Sequence, residues 1–165
     1  MKLHKMYKPF KKFKLELWTD ASYAPKEDRK SVTGYVIFLN GCLVTAVSKQ
    51  QKNITTSTAH AETTALFEGL KTLIYIYNLL SQEVDIELPM TIYVDNTASE
   101  RYCNNDVCSE RTRHWDIALK YIYEMKAEGL INIEWVEGTE MKADICTKAM
   151  DRAGHEKHRT SMGIY

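Results

Sequence analysis

Four carboxylates, Asp20, Glu62, Asp95 and Asp144, each close a strand pattern or open a helix pattern in a chain that reads strand, strand, strand, helix, strand, helix, helix, strand, helix. Side chains at such positions can gather at one edge of a single sheet although they are far apart in sequence, because open α/β sheets place ligand sites beyond the carboxyl ends of their strands. Four ionised carboxylates around one point repel one another. A hard divalent cation, held through carboxylate oxygens and retained waters, supplies the missing counter-charge. The order therefore points to a metal-dependent hydrolase, in which two cations roughly 3.5 to 4 Å apart act on a phosphodiester by in-line displacement. Each aspartate taken singly also suits a strand-end cap; only the set of four in this order is specific.

The local patterns behind that order are distinct. Phe13, Leu15 and Leu17 alternate with polar residues up to Asp20, predicting a strand, and Ala21 to Arg29, with Pro25 and several charges, predicts a loop. Val32 to Leu39 is rich in β-branched and aromatic residues, Asn40-Gly41 is a hairpin turn, and Leu43 to Ser48 returns as an antiparallel strand. Thr55 to Ser57 offers capping hydroxyls for a helix reaching Leu80, with the apolar stripe Leu66, Gly69, Leu73, Ile76 and Leu80. Carried four residues back, that stripe lands on Glu62. A carboxylate on a core-facing line is costly unless paired, coordinated or at the core's edge, although the helix dipole also favours a glutamate in a first turn. Thr91 to Asp95 predicts a strand, Asn96 to Cys103 a short helix, Asn104 to Glu110 a polar connection, and Arg111 to Ala127 a longer helix stopped by Gly129. Ile131 to Val136 predicts the last strand, Gly138-Thr139 a turn, and Glu140 to Met150 a closing helix that carries Asp144. Beyond Asp151 a loop and a short terminal helix are expected.

With 165 residues, 44% of them hydrophobic, the chain is long enough to bury one core. The expected organisation is a basic linker over 1–12, a domain over 13–150 and an extension of that domain over 151–165. Twenty-two basic side chains balance twenty-two acidic ones, so attraction to nucleic acid must come from local patches. Two exist: Lys2, Lys5, Lys8, Lys11, Lys12 and Lys14, and Arg111, Arg113 and His114 followed by Lys120. For either patch taken alone, a solvated charge run is the commoner explanation. Cys42, Cys103, Cys108 and Cys146 contain no Cys-x-x-Cys pair and read as reduced thiols; Cys103, Cys108 and His114 do not have zinc-site spacing. No apolar run matches a signal sequence or a membrane span, so a soluble protein without a membrane partner is expected.

The motifs as they stand also resemble a known family. Leu15-Glu-Leu-Trp-Thr-Asp-Ala-Ser22, Asp28-Arg-Lys-Ser-Val-Thr-Gly-Tyr35, Ser57-Thr-Ala-His-Ala-Glu62, Tyr93-Val-Asp-Asn96, Glu110-Arg-Thr-Arg-His-Trp-Asp-Ile117 and Ala143-Asp-Ile-Cys-Thr-Lys-Ala149 are similar to the ribonuclease H domain of copia-type (Pseudoviridae) LTR retrotransposon Pol polyproteins. The resemblance runs from about Lys14 to Ile164. It implies an α/β ribonuclease H-like fold, a five-stranded mixed sheet flanked by helices. It also implies endonucleolytic hydrolysis of the RNA strand of RNA–DNA hybrids during reverse transcription, with two Mg²⁺ ions that Mn²⁺ can replace. The implied partners are the hybrid and the reverse transcriptase domain of the same polyprotein. The implied location is intracellular: the cytoplasm, within a virus-like particle, and the nucleus. Asp20, Glu62, Asp95 and Asp144 match the family's metal-binding, catalytic set.

On the nucleic-acid side the resemblance brings in Ser22, Ser57, Thr58, Asn96, Thr97, Arg111, Arg113 and His114. The last three, at a predicted helix start, suit phosphate contacts, and equally ion pairs with Glu110 and Asp116. Ala59 stands where many relatives have a hydroxyl, and Thr97-Ala98-Ser99 where they often have Gln-Ser-Ala, both near the place where this fold reads the RNA 2′-hydroxyl. Cellular ribonucleases H carry a mobile histidine before their last aspartate; Glu137 to Lys142 has none. Trp18, Tyr23 and Trp115 suit either base stacking or packing. The competing class is a non-catalytic nucleic-acid-binding or scaffold domain supporting a reverse transcriptase.

Overall fold

The computed structural model describes residues 12–23, 30–104 and 116–164. Its first strand, β1 (Leu15–Ser22), buries Leu15 and Leu17 completely, as the alternation requires. It pairs antiparallel with β2 (Val32–Leu39), from Leu15 opposite Leu39 to Ser22 opposite Val32. At Asn40 and Gly41 φ is positive, 50° and 78°, and this pair turns the chain into β3 (Cys42–Gln50). Two positive-φ residues in a row match the twist of a two-residue hairpin, and Asn and Gly adopt them at least cost.

A crossover helix, α1 (Thr58–Leu80), then returns the chain to β4 (Met90–Val94), which lies parallel to β1. The Ser57 side chain caps α1 by accepting from the His60 amide. After α2 (Thr97–Asn104) and α3 (Asp116–Ala127), Gly129 at φ 71° ends the helical run, and β5 (Ile131–Trp135) pairs parallel with β4. The five strands form one mixed sheet in the order β3-β2-β1-β4-β5. A 3₁₀ turn (Gly138–Glu140), the four-residue α4 (Asp144–Thr147) and α5 (Arg152–Ser161) close the chain.

The larger core cluster joins Leu15, Leu17 and Ile92 of the sheet to Leu66, Leu70 and Leu73 of α1 and Leu119 and Ile122 of α3. A second cluster joins Trp18, Val36 and Phe38 to Met141, Ala143 and Met162. Trp18 is packed in it, 4.1 Å from Tyr93 ring to ring, with the Lys142 ammonium 4.5 Å above its face. Tyr23 is exposed, and Trp115 lies outside the described residues.

The structure departs from the predicted elements most informatively at Phe13, at the end of β1 and in the closing helix. Phe13 makes only an isolated bridge to Ile86 ahead of β1. At its other end β1 continues through Asp20 to Ser22, because Ala21 and Ser22 still find partners in Thr33 and Val32. The continuous helix expected from Glu140 to Met150 is instead a 3₁₀ turn followed by one turn of helix. Met141 and Ala143 are fully buried against Trp18 and Val36, and Met141 takes an extended conformation to reach them, which breaks the helical period.

That short helix is seated on bare backbone. A Cβ at Gly34 would lie 2.8 Å from the Cβ of Cys146 and 3.2 Å from the Ala143 carbonyl oxygen, and would run into the Thr147 methyl group. At Gly69, in α1, the nearest atoms a Cβ would meet are side-chain methyls of Leu17 and Thr19, at 3.0 and 3.2 Å. Gly34→Ala is expected to lower the unfolding free energy by roughly 1–3 kcal/mol, as overpacking does. Gly69→Ala is expected to be near neutral, since about 1 kcal/mol of helix propensity offsets the crowding. Urea midpoints of the two variants check the difference.

Candidate metal centre

The parallel register of β1 and β4 sets Glu16 beside Thr91 and Trp18 beside Tyr93. Continued two residues further, it sets Asp20 beside Asp95. Opposite Asp20 on β2 is Gly34, so α4 can approach the aspartate from that side. Glu62 comes from the start of α1, one helical turn before the fully buried Leu66, as the apolar stripe predicts. That end of α1 is braced by Gln51, whose amide Nε2 donates to the Ala61 carbonyl at 2.9 Å and to Thr33 Oγ1 at 3.0 Å.

Asp20, Glu62 and Asp95 each bring a carboxylate oxygen within 4.8 Å of the others. Asp20 is 1% and Glu62 7% exposed, and Asp95 is half-buried. The Asp95 carbonyl accepts from the Trp135 indole at 2.9 Å, which ties the end of β4 to β5. Asp144 belongs to the same neighbourhood but not to the cluster of three. Its Oδ1 lies 2.6 Å from the Lys148 ammonium, which is also 3.7 Å from Asp20 Oδ2. Thr147 donates its hydroxyl to that same Asp20 oxygen. Thr147 and Lys148 were not singled out from the sequence, although a lysine four residues after Asp144 on a helix is a recognisable pairing signal.

Burial without sufficient counter-charge raises these acids. Glu62 is pushed up to about 9, chiefly by desolvation and further by Asp20 and Asp95, against Lys148 and a hydrogen bond from the Ala21 backbone. Asp20 rises to about 6, again chiefly by desolvation, with Asp144 and Asp95 adding to it and Thr147 and Lys148 opposing. Asp95 is raised as well, by burial first. The negative surroundings that raise these acids equally favour a cation, whose binding must displace any proton held there. The donors are all carboxylate oxygen, which fits a hard divalent ion. By contrast, burial lifts the Cys103 thiol to about 12, far from the thiolate that zinc requires.

The expected nucleic-acid residues divide into two groups. Ser57 caps α1, and Asn96 caps α2 by accepting from the amides of Ala98 and Ser99 at 3.0 Å each. The two helix starts are joined by a hydrogen bond from Ser99 Oγ to the Ala59 carbonyl at 3.3 Å, so Ser57, Thr58, Asn96 and Thr97 share one rim beside Glu62 and Asp95. Thr58 and Thr97 are exposed there, and Ser22 is half-buried at the end of β1. Arg111, Arg113 and His114, like Cys108, lie outside the described residues.

No protein-family model matches the sequence. The chain is 28% identical over 153 residues to the Retrovirus-related Pol polyprotein from transposon RE1 of Arabidopsis thaliana, covering 91% of this chain and 10% of that polyprotein. It is 29% identical over 152 residues to the one from transposon TNT 1-94 of Nicotiana tabacum, covering 92% and 11%. The chain thus spans about a tenth of the length of these relatives, and they are copia-type Pol polyproteins, as the motifs indicate. Among solved structures it is similar to LC11-RNase H1, isolated from compost, with a TM-score of 0.64 at 18% identity over 87% of this chain and 96% of the other. LC11-RNase H1 in complex with RNA/DNA hybrid gives 0.61 at 17% identity over 81% and 94%. The N-terminal RNase H domain of rv2228c from Mycobacterium tuberculosis gives 0.59 at 13% identity over 90% and 97%. The fold is that of ribonuclease H.

Because Glu62 holds its proton more tightly folded than unfolded, its contribution to stability is complete below about 4.5 and is lost as pH rises toward about 9. Asp20 acts in the same sense between about 3.8 and 6. Melting temperatures in EDTA are expected to fall across this range, and Glu62→Gln to flatten the alkaline part of the decline. A divalent cation is expected to raise the melting temperature most at the alkaline end. An equally steep decline in the Gln variant would contradict the assignment.

Proposed function

We propose that this chain is a ribonuclease H: a divalent-metal-dependent endonuclease that hydrolyses the RNA strand of RNA–DNA hybrids during retrotransposon reverse transcription, by a two-metal mechanism. The observation that carries the reading is the convergence of Asp20, Glu62 and Asp95 within 4.8 Å, with Glu62 kept on the core-facing stripe of α1. Its support is the ribonuclease H fold, together with kinship to Pol polyproteins and similarity to a ribonuclease H crystallised with RNA/DNA hybrid.

Asp20, Glu62, Asp95 and Asp144 would hold the cations, Mg²⁺ with Mn²⁺ as a substitute. When bound, such ions lower the pKa of an attacking water and neutralise charge on the phosphate and the leaving oxygen. The chain's own groups set the stage for that chemistry. Thr147 orients the Asp20 carboxylate, and the Trp135 indole fixes the backbone of Asp95. Burial disfavours the ionised form of Glu62 and a nearby cation favours it, which couples its ionisation to cation binding. The rim formed by Ser57, Thr58, Asn96 and Thr97 faces the hybrid, with Ser22 at the neighbouring strand end and Arg111, Arg113 and His114 as phosphate contacts. As the chain matches about a tenth of its relatives, a reverse transcriptase domain of the same polyprotein is the proposed partner. The cytoplasmic particle and the nucleus are the proposed locations.

Labelled RNA–DNA hybrid, incubated in Mg²⁺, Mn²⁺ and EDTA beside matched RNA and DNA duplexes, tests this directly. The expected outcome is metal-dependent shortening of the hybrid's RNA alone. Asp95→Asn is expected to cut the rate at least about a hundredfold, roughly 3 kcal/mol of barrier, without lowering the melting temperature. Binding of the hybrid with no cleavage in either metal would overturn the enzymatic reading in favour of a scaffold.

A further inference from the structure

The cation nearest the carboxylates is part of the chain itself. We propose that Lys148 is a built-in counter-cation of this centre: its ammonium holds the place between Asp20 and Asp144 that a second divalent ion would occupy. The resting site therefore accepts one such ion readily and a second only after the lysine has swung away. The inference rests on reading the centre as a metal site and adds an order to its filling.

Three observations carry it. First, the four acids are not equivalent: Asp20, Glu62 and Asp95 share one oxygen cluster, whereas Asp144 stands outside it and has its own positive partner at 2.6 Å. Second, the ammonium bridges rather than decorates. It reaches Asp20 Oδ2 at 3.7 Å as well as Asp144, and these acceptor side chains are 2% and 13% exposed. A surface pair one helical turn apart is ordinarily a weak contact. Here a compact charge sits against two largely desolvated carboxylates, where screening is much reduced. Third, the Lys148 side chain is itself 44% exposed. A flexible four-carbon stem open to solvent can withdraw its head group without unpacking any core residue.

The same lysine opposes the upward shifts of Asp20, Glu62 and Asp95, as a partial neutraliser of the whole set would. A single charge cannot complete that task, which is why the cluster of three still favours protons or a cation. Its position on the Asp144 side leaves the Asp20, Glu62 and Asp95 oxygens open to the first ion.

The test is titration of the protein with Mn²⁺ in the absence of nucleic acid, with free Mn²⁺ followed by electron paramagnetic resonance. Wild type is compared with Lys148→Met, Lys148→Arg and Asp95→Asn. Wild type is expected to show one site that Asp95→Asn loses. Lys148→Met is expected to reveal a second site at least about tenfold tighter than any second site of wild type, as removal of a like charge a few ångströms away requires. Lys148→Arg is expected to return the wild-type count. Superimposable wild-type and Lys148→Met titrations, with the Asp95-dependent site present, would overturn the role of Lys148 and leave the metal reading standing. Absence of any Mn²⁺ site in wild type would overturn both.

Discussion

Parallel pairing of β1 with β4 is the constraint on which the centre depends. Parallel neighbours cannot be joined by a hairpin, so the chain must cross over the sheet, and here it does so through the 23 residues of α1. That single demand brings three carboxylates together. It aligns Asp20 and Asp95 on adjacent strands, and it returns α1 over the same sheet with Glu62 near its start. The antiparallel hairpin on the other side of β1 contributes no acid; it supplies Gly34, the bare seat on which α4 rests. β1 is thus the hinge between two styles of pairing, and the acids collect at the end of that strand and of its parallel neighbour.

Electrostatically the arrangement is unfavourable by itself. Three carboxylates within a few ångströms, two of them nearly inaccessible to water, are tolerated because apolar packing on both faces of the sheet holds their backbones in place. Leu66, Leu70 and Leu73 fix the stripe that carries Glu62, and Met141 and Ala143 fix the approach of α4. The packing of the fold holds these acids close before any ligand arrives, which is how a protein prepares a site in advance.

Much of this was legible in the sequence, for reasons that differ from element to element. The hairpin was readable because Asn40-Gly41 has one favourable conformation, and Glu62 because the stripe through Leu66 and Leu73 extends back to it. Its convergence with Asp20 and Asp95 followed from strand order and from motifs resembling a known family. The closing helix was misread because its period is broken by burial of Met141 and Ala143 against Trp18 and Val36, a contact between distant segments that no local pattern records. Lys148 was missed for a related reason. Its pairing with Asp144 is a local helical spacing, but its approach to Asp20, like the hydrogen bond from Thr147 across 127 residues, exists only once the sheet is assembled. The split of the acids into a cluster of three and a separately paired Asp144 was likewise invisible from spacing.

The brevity of α4 has one more consequence. Asp144 and Lys148 stand one turn apart, at the first residue of that helix and at its carboxyl-terminal cap, so the segment brings one negative and one positive charge to the sheet together. Its docking is therefore close to neutral overall, and the long-range field that dissolved salt screens has little net hold on it. Short-range shape holds the segment beside that charge contact: the absent side chain of Gly34, the Thr147 hydroxyl on Asp20, and the buried Met141 and Ala143 that lead into it. The segment is in this way held to the sheet by shape as well as by the Lys148 contact with Asp20.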